Sequence, residues 1–257
     1  MSNKEVTKIV YFGTPEFSAR ILQGLLDAEL NVIGVVTESD KPVGRSQEAE
    51  PCAVKKLALE KGIRVLNHDP ESMNGELKEI QPDIGVVAAY GKILKKETLE
   101  IPKRGFVNFH PSLLPRYRGA CPTNAALANN EKITGVTVHY VTEGVDDGDM
   151  LLQRSVSIDE MDNDGLLRQK LARLAGEMVP GIVDMFCGIN KPVGIPQDNT
   201  LATFAPKPTL QDGYIDLMQG IHAAHTKMRA FNPLPGTSVL LGEKRIAVDR
   251  FTLHFDD

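Results

Sequence analysis

Gly105-Phe106-Val107-Asn108-Phe109-His110-Pro111-Ser112-Leu113-Leu114-Pro115-Arg116-Tyr117-Arg118-Gly119 is the stretch that decides the reading of this chain. Gly105 interrupts what precedes it, Phe106 to Phe109 suits a short buried strand, and Pro111 ends that strand because it has no N–H for a ladder. Side chains alternate between faces along a strand, so Asn108 and His110, two apart, point the same way. Open α/β sheets put their chemistry at the carboxyl ends of their strands, and this pair stands at or just past one. Ser112 to Pro115 follows as a proline-bracketed loop with two apolar side chains. An amide and an imidazole on one face, beside a stiff apolar loop, suit a flat ligand and the polarisation of a carbonyl on it. Taken alone, Asn-x-His also describes a capped strand end, so the flanking chain has to decide.

Upstream, Val6 to Gly13 reads as a buried parallel strand and Thr14-Pro15-Glu16 as the start of a helix that runs to about Ala28. Phe17, Ile21, Leu22, Leu25 and Leu26 share one face of it. Val32 to Thr37 completes a βαβ unit. Only one glycine precedes the helix, so the dinucleotide fingerprint is absent, and no Walker sequence occurs. Residues 38–51 read as a long loop at a strand's carboxyl end, where Lys41 and Arg45 could reach a phosphate. A helix (Ala53 to Lys61), a strand (Ile63 to Leu66), a helix (Pro70 to Ile80) and a central strand (Asp83 to Ala88) come next. Small residues where that strand ends, around Tyr90-Gly91-Lys92-Ile93-Leu94, let backbone approach a flat ligand closely.

Downstream, Pro122 to Asn130 reads as a short helix, and Gly135 to Val141 alternates as a strand with Met150 to Ile158 as its partner. The connection, Thr142-Glu143-Gly144-Val145-Asp146-Asp147-Gly148-Asp149, lacks the register and terminal Glu of a calcium loop, so no metal is expected there. It reads as an Asp-rich turn or as a loop that aims one carboxylate at His110. Leucines at helical spacing predict a long helix over Asn163 to Cys187. The Pro- and Thr-rich stretch 191–208 marks a linker. Asp212 to Ala230 then reads as a helix, and Ser238 to Leu241 with Arg245 to Val248 as a hairpin about Gly242. The fold class is α/β, with a Rossmann-like open, mostly parallel twisted sheet and helices on both faces over residues 1–190.

Composition narrows the function classes. The chain has 257 residues, 42% hydrophobic and 25% charged, enough for a sizeable core. No apolar run is as long as a membrane span, and no signal-like segment opens the chain. Three cysteines without metal-ligand spacing point to a reducing, cytoplasmic setting. The net charge of −5 lies in the first 190 residues, because the remainder carries equal numbers of basic and acidic side chains. Bulk charge thus does not announce a nucleic-acid binder.

A carbonyl attacked by an amine passes through a tetrahedral oxyanion, which needs donors fixed where the charge develops. Asn108 offers an amide N–H and His110, when protonated, a charge-assisted donor. A nearby carboxylate favours the imidazolium and can take the proton that the amine sheds. Neither Cys121 nor Ser112 sits in a nucleophile motif, so direct transfer between two bound substrates is the simpler chemistry.

These residues resemble the folate-dependent formyltransferases. The likeness runs through Phe12-Gly13-Thr14-Pro15-Glu16-Phe17, Asp40-Lys41-Pro42-Val43-Gly44-Arg45, His110 to Gly119, Gly144 to Met150, and Arg229-Ala230-Phe231-Asn232-Pro233. It implies that Asn108, His110 and Asp146 are catalytic and that Ser112, Leu113, Leu114 and Pro115 form the folate signature. Tyr90, Gly91, Ile93, Leu94, Gly144 and Val145 would line the pterin pocket. The branch of the family most resembled transfers formyl from 10-formyltetrahydrofolate, with no metal, to the α-amino group of methionyl-initiator tRNA. Arg45 and Lys41 would meet the acceptor end and Phe17 the methionyl group. The alternative within the family is an N-formyltransferase acting on a nucleotide-linked amino sugar. The resemblance also implies that 209–257 is a small, truncated β-rich, OB-like domain. Where the family loop after the arginine is lysine-rich, this chain reads Ser-Gln-Glu-Ala-Glu, which weakens the expected electrostatic grip on tRNA.

Overall fold

Residues 7–43, 48–187 and 191–249 are described by a computed structural model of the chain. The first strand, β1 (Ile9–Gly13), is buried along its whole length. It divides the core in two by alternation. Ile9 and Tyr11 join one apolar cluster, while Val10 and Phe12 join another on the opposite face. The first cluster is covered by α1 (Glu16–Asp27), α2 (Ala53–Glu60) and the long α6 (Asp164–Cys187); the second is covered by α3 (Pro70–Ile80). Each fully buried Leu, Ile or Phe contributes about 1.5–3 kcal/mol. In the second cluster the Phe12 ring meets Tyr90 and Phe106 edge-on, with centroids 5.2 and 5.3 Å apart.

The sheet has seven strands. Besides β1 they are β2 (Val32–Val36), β5 (Val65–Leu66), β6 (Ile84–Ala88), β7 (Phe106–His110), β8 (Ile133–Tyr140) and β9 (Met150–Ser157), in the order β5-β2-β1-β6-β7-β8-β9. The pairs from β5 to β7 are parallel, and β7–β8 and β8–β9 are antiparallel. This is the mostly parallel, Rossmann-like sheet that the sequence predicts. Strand order reverses between β1 and β6, so a crevice opens at the carboxyl ends of these two strands. Gly13 is needed there. A Cβ on it would lie 1.6 Å from Ser18 Oγ and 2.8 Å from the Ala88 carbonyl oxygen, so only glycine lets β1 turn into α1 beside β6.

Two local readings need correction, and one short element was not read at all. The stretch 38–51 is not wholly loop, because β3 (Lys41–Val43) and β4 (Glu48–Glu50) pair antiparallel within it; residues 44–47 lie outside the described residues. A one-turn helix, α4 (Lys96–Leu99), precedes β7. The helix expected from Asp212 starts only at Ile221, as α7 (Ile221–Phe231). Asp216 caps a separate 3-10 turn (Leu217–Gln219), and Gly220, with φ +82°, resets the chain before α7.

Beyond α6 the chain runs back along the sheet. Ile195 exchanges two 2.8 Å backbone hydrogen bonds with Met150, and Ala205 is buried with its N–H on the Arg118 carbonyl at 2.7 Å. α7 packs on α5 (Pro122–Ala128), where Asn124 Nδ2 donates to the Ala230 carbonyl at 2.6 Å. A small antiparallel hairpin, β10 (Ser238–Leu241) and β11 (Lys244–Ala247), follows. Among the described residues no helix is long and apolar enough to cross a membrane.

Candidate active site

β7 places the amide and the imidazole. Val107 and Phe109 turn into the core, so Asn108 and His110 both face the crevice side. The antiparallel register then sets His139 of β8 directly opposite Asn108 and Thr137 opposite His110. Directly opposed residues share a face, so β8 adds a second imidazole to the first.

The 142–149 connection brings Asp146 to these three side chains. Its Oδ1 accepts from Asn108 Nδ2 at 3.2 Å and its Oδ2 from the Gly119 N–H at 2.9 Å. His110 Nδ1 lies 3.4 Å from Oδ2, and His139 Nε2 lies 3.3 Å from Oδ1. Burial pushes the Asp146 carboxyl up, but the two imidazoles and the Gly119 N–H together outweigh it and hold the group well below the usual carboxylate range. Asp146 itself adopts a left-handed backbone, with φ +49°.

The two histidines are held differently. His110 is 4% exposed, and its Nε2 makes a 2.8 Å hydrogen bond to the Tyr117 carbonyl, which requires that nitrogen to carry the proton. Burial lowers the His110 pKa and outweighs the upward pull of Asp146, with His139 adding to the downward effect. The upward pull expected of a nearby carboxylate is present, but burial outweighs it, so the resting ring is neutral and its Nδ1 faces Asp146. His139 is 2% exposed and points Nδ1 at the Tyr140 carbonyl, 2.8 Å away. With its proton there, Nε2 accepts from Asn108 Nδ2 at 3.3 Å.

A cavity of about 1080 Å³ opens beside this cluster. Asn108, His110 and Asp146 all reach its wall, as do Tyr90, Gly91, Ile93, Leu94, Gly144, Val145 and Phe17. Gly91 has φ +84°, and Ile93 is 80% exposed, so the 90–94 segment offers backbone and one bare apolar side chain to a ligand. Burial, reinforced by Glu38, pushes the Tyr90 phenol up to about 12, so it stays a neutral hydroxyl. The far side of the cavity is lined by α1 and α6, with Arg20, Arg168 and Arg173 at its edge.

Ser112, Leu113, Leu114 and Pro115 are not part of that wall; among this loop and its start only Pro111 is. Their polar groups are engaged elsewhere. Ser112 Oγ donates to the Arg116 carbonyl at 2.7 Å, and Thr137 Oγ1 donates to the Ser112 carbonyl at 2.7 Å. The Leu114 N–H meets Thr137 Oγ1 at 3.1 Å, and the Leu114 carbonyl accepts from Gln153 Nε2 at 3.0 Å. The loop braces the carboxyl end of β7 against β8 and β9. Lys41 lies on β3, and Arg45 lies outside the described residues. Burial raises the Cys121 thiol pKa, which suits no nucleophile. Among the described residues no group of three or more His, Cys, Asp and Glu is arranged to hold a metal ion.

An open sheet with a crevice at its switch point, a buried His with a half-buried Asn and Asp around one corner of it, and a cavity large enough for a pterin define a transferase-like site on an α/β scaffold. Residues 7–183 match the family described as formyl transferase, and the chain belongs to that family. Among its relatives is the methionyl-tRNA formyltransferase of Kosmotoga olearia, 42% identical over 93% of this chain and 78% of that one. Another is the methionyl-tRNA formyltransferase of Marinobacter nauticus, 40% identical over 94% of this chain and 78% of that one. The fold is also that of an N-formyltransferase from Helicobacter canadensis, solved with folinic acid and dTDP-3-aminofucose. That structure has a TM-score of 0.73 and 19% identity, covering 93% of this chain and 86% of the other.

His139 was missed from sequence. A histidine on the strand after the motif was the available signal, but it reads there as one polar position of an alternating strand. Its place opposite Asn108 depends on β7–β8 register, which neither strand specifies alone.

Proposed function

We propose that this enzyme transfers a formyl group from 10-formyltetrahydrofolate to the α-amino group of methionyl-initiator tRNA. The observation that carries the proposal is the convergence of Asn108, His110 and Asp146 on one corner of the cavity whose walls are the 90–94 and 141–146 segments. About 40% identity to two methionyl-tRNA formyltransferases, over more than nine-tenths of the chain, supports the acceptor.

The residues present suit a reduced folate. Backbone of positive φ at Ala89 and Gly91, the small side chain of Gly144 and the apolar Ile93, Leu94 and Val145 form a slot with edge-on polar groups and greasy faces. When bound there, 10-formyltetrahydrofolate supplies the formyl carbon and a leaving nitrogen. Asn108 contributes an N–H to the oxygen on which negative charge develops. For this it exchanges its bond to Asp146 or His139 for one to the substrate. His110 is neutral before attack, and its Nδ1 can take the proton that the amine sheds. Asp146, 3.4 Å away, stabilises the imidazolium so formed, and that cation then opposes the growing charge on oxygen. The same proton is available to the departing nitrogen, so protons balance without an enzyme-bound acyl group.

Phe17, which lines the cavity from α1, is proposed to meet the methionyl side chain. Arg20, Arg168 and Arg173 also line the cavity, each paired with an acid on its own helix (Glu16, Asp164 and Glu177), and would exchange that partner for a phosphate-bearing acceptor. Lys41 and Arg45 are proposed, from family resemblance, to meet the tRNA acceptor end. One assay tests the whole reading: 10-formyltetrahydrofolate is supplied with methionyl-initiator tRNA or with a 4-amino-sugar nucleotide, and formyl transfer is followed. Turnover with the tRNA alone is expected; turnover with the sugar alone would replace the acceptor, and none with either would remove the function.

A further inference from the structure

Asp146 meets Asn108, Gly119, His110 and His139 through its carboxylate and Gln197 through its carbonyl, which leads out of the site. Gln197 Nε2 donates to the Asp146 carbonyl and to the Gly148 carbonyl, both at 2.8 Å. The other end of that amide meets Arg118, whose Nε and Nη2 donate to Gln197 Oε1 at 3.0 and 2.8 Å. Arg118 is only 5% exposed, and its Nη2 also donates to Asn199 Oδ1 at 2.8 Å.

The orientation of Gln197 is not optional. A guanidinium has donors only, so the amide must turn its oxygen to Arg118. Its NH2 group is thereby aimed at two carbonyls, and each of its hydrogens finds one. The backbone carrying this amide is fixed on the sheet domain: the Arg118 N–H donates to the Thr203 carbonyl at 2.9 Å, and the Ala205 N–H returns to the Arg118 carbonyl at 2.7 Å. The next residue, Gly119, gives its N–H to the Asp146 carboxylate. Adjacent residues 118 and 119 therefore restrain Asp146 from two sides, one directly and one through Gln197.

A left-handed backbone at φ +49° is uncommon for a residue with a side chain, even an Asp, and is kept where its surroundings favour it. Gln197 clasps the carbonyl of that residue and of a residue two further on. We propose that Gln197, oriented by Arg118, is a positioning residue that holds the Asp146 turn in its left-handed conformation and so sets the carboxylate against His110. Gln197 lies beyond residues 7–183, the part that matches the family, so the catalytic corner is completed from the segment that follows it. The proposal rests on the formyl-transfer reading for its rate arm but not for its titration arm.

Three variants test it in the full-length chain. Gln197→Glu keeps an oxygen pair for Arg118 but loses both N–H donors and sets an anion against two carbonyls. Gln197→Ala removes both functions, and Gln197→Asn retains the amide with shorter reach. Isotope-edited NMR reads the His110 titration, and steady-state kinetics reads transfer. His110 faces Asp146 from the 142–149 turn, His139 from β8 and the Tyr117 carbonyl from its own loop. Asp146 raises its pKa and His139 lowers it. Displacing Asp146 must therefore move the His110 midpoint further down.

The expected result for Gln197→Glu is kcat lower by about 10- to 100-fold, KM for the folate within about twofold, and a lowered His110 midpoint, since a misplacement near 1 Å can cost about 100-fold. An intermediate effect is expected for Gln197→Asn. A Gln197→Glu protein with unchanged kcat and unchanged His110 midpoint would overturn the proposal. So would a fall in kcat with the midpoint unmoved, because the loss would then arise elsewhere than at Asp146. Should Gln197→Ala fail to fold, the Glu and Asn variants carry the same two readouts. A shifted midpoint in a protein that formylates neither acceptor would keep the positioning role and reject the functional reading.

Discussion

Asn108 and His139 are cross-strand partners whose side-chain nitrogens lie 3.3 Å apart, so one amide hydrogen is directed to an imidazole while the other reaches Asp146 at 3.2 Å. The amide is thus fixed in the plane defined by these two acceptors before any substrate arrives. Both amide hydrogens are engaged at rest, so Asn108 meets a developing oxyanion by giving up one acceptor while the other keeps the amide oriented.

Asn108→Ala should lower kcat by about 100- to 1000-fold, the usual cost of one oxyanion donor. His139→Ala should cost less, roughly 10-fold, because the amide remains but loses its guide. In single-turnover assays the double variant should be little worse than Asn108→Ala alone. Losses that multiply would show that the two side chains act separately.

Activity should depend on a deprotonated His110. Burial lowers the pKa of this ring, so kcat should be flat near neutrality and fall only at a pH below the ordinary histidine value of about 6.5. Asp146→Asn removes the influence that raises it, so in that variant the acid limb should shift to still lower pH while kcat drops. A limb that moves upward would contradict the assignment.

The same shifts set the acid stability of the fold. Because His110 is depressed in the folded state, its contribution is full above about pH 6.5 and is lost as pH falls through the folded value. Asp146, also depressed, contributes above about pH 3.9 and loses that contribution only at lower pH. Denaturant midpoints between about pH 5 and 7 should therefore decline toward acid in the native protein. In His110→Gln that decline should be shallower; an identical slope would assign it to another group.

Phe17→Ala should raise KM for the aminoacyl acceptor several-fold and leave KM for the folate unchanged, because Phe17 lines the α1 wall and not the 90–94 segment. A rise in the folate KM alone would move the acceptor to the other end of the cavity.

Gly13→Val should destabilise by about 1–3 kcal/mol, read from the denaturant midpoint, since even a Cβ there would sit 1.6 Å from Ser18 Oγ. An unchanged midpoint would mean that β1 and α1 shift apart freely.

The sheet, the helix over Pro70–Ile80 and the Asn108/His110 pair were legible because each is written in local pattern: apolar periodicity, a proline at a helix start, a spacing of two on a strand. The backbone walls of the cavity were legible through their glycines. His139 was not, because its role comes from register. Arg118 and Gln197 were not, because their pairing joins positions nearly 80 residues apart and sits in a stretch whose prolines read only as a linker. Composition tells that such a stretch is irregular; it does not tell which carbonyls it satisfies. The resting state of His110 was left open for a related reason: the carboxylate was visible in the sequence, but the burial that outweighs it was not.

The two-residue repeat of β7 also makes the enzyme intolerant of frame. Inserting or deleting one residue between Gly105 and His110 would rotate the strand by half a turn, sending the amide and imidazole beneath the helices and two greasy groups into the cleft. No point substitution repairs such a slip. Loop grafts and chimaeras built on this scaffold should therefore be spliced outside that strand, and any change of length within it made in even steps.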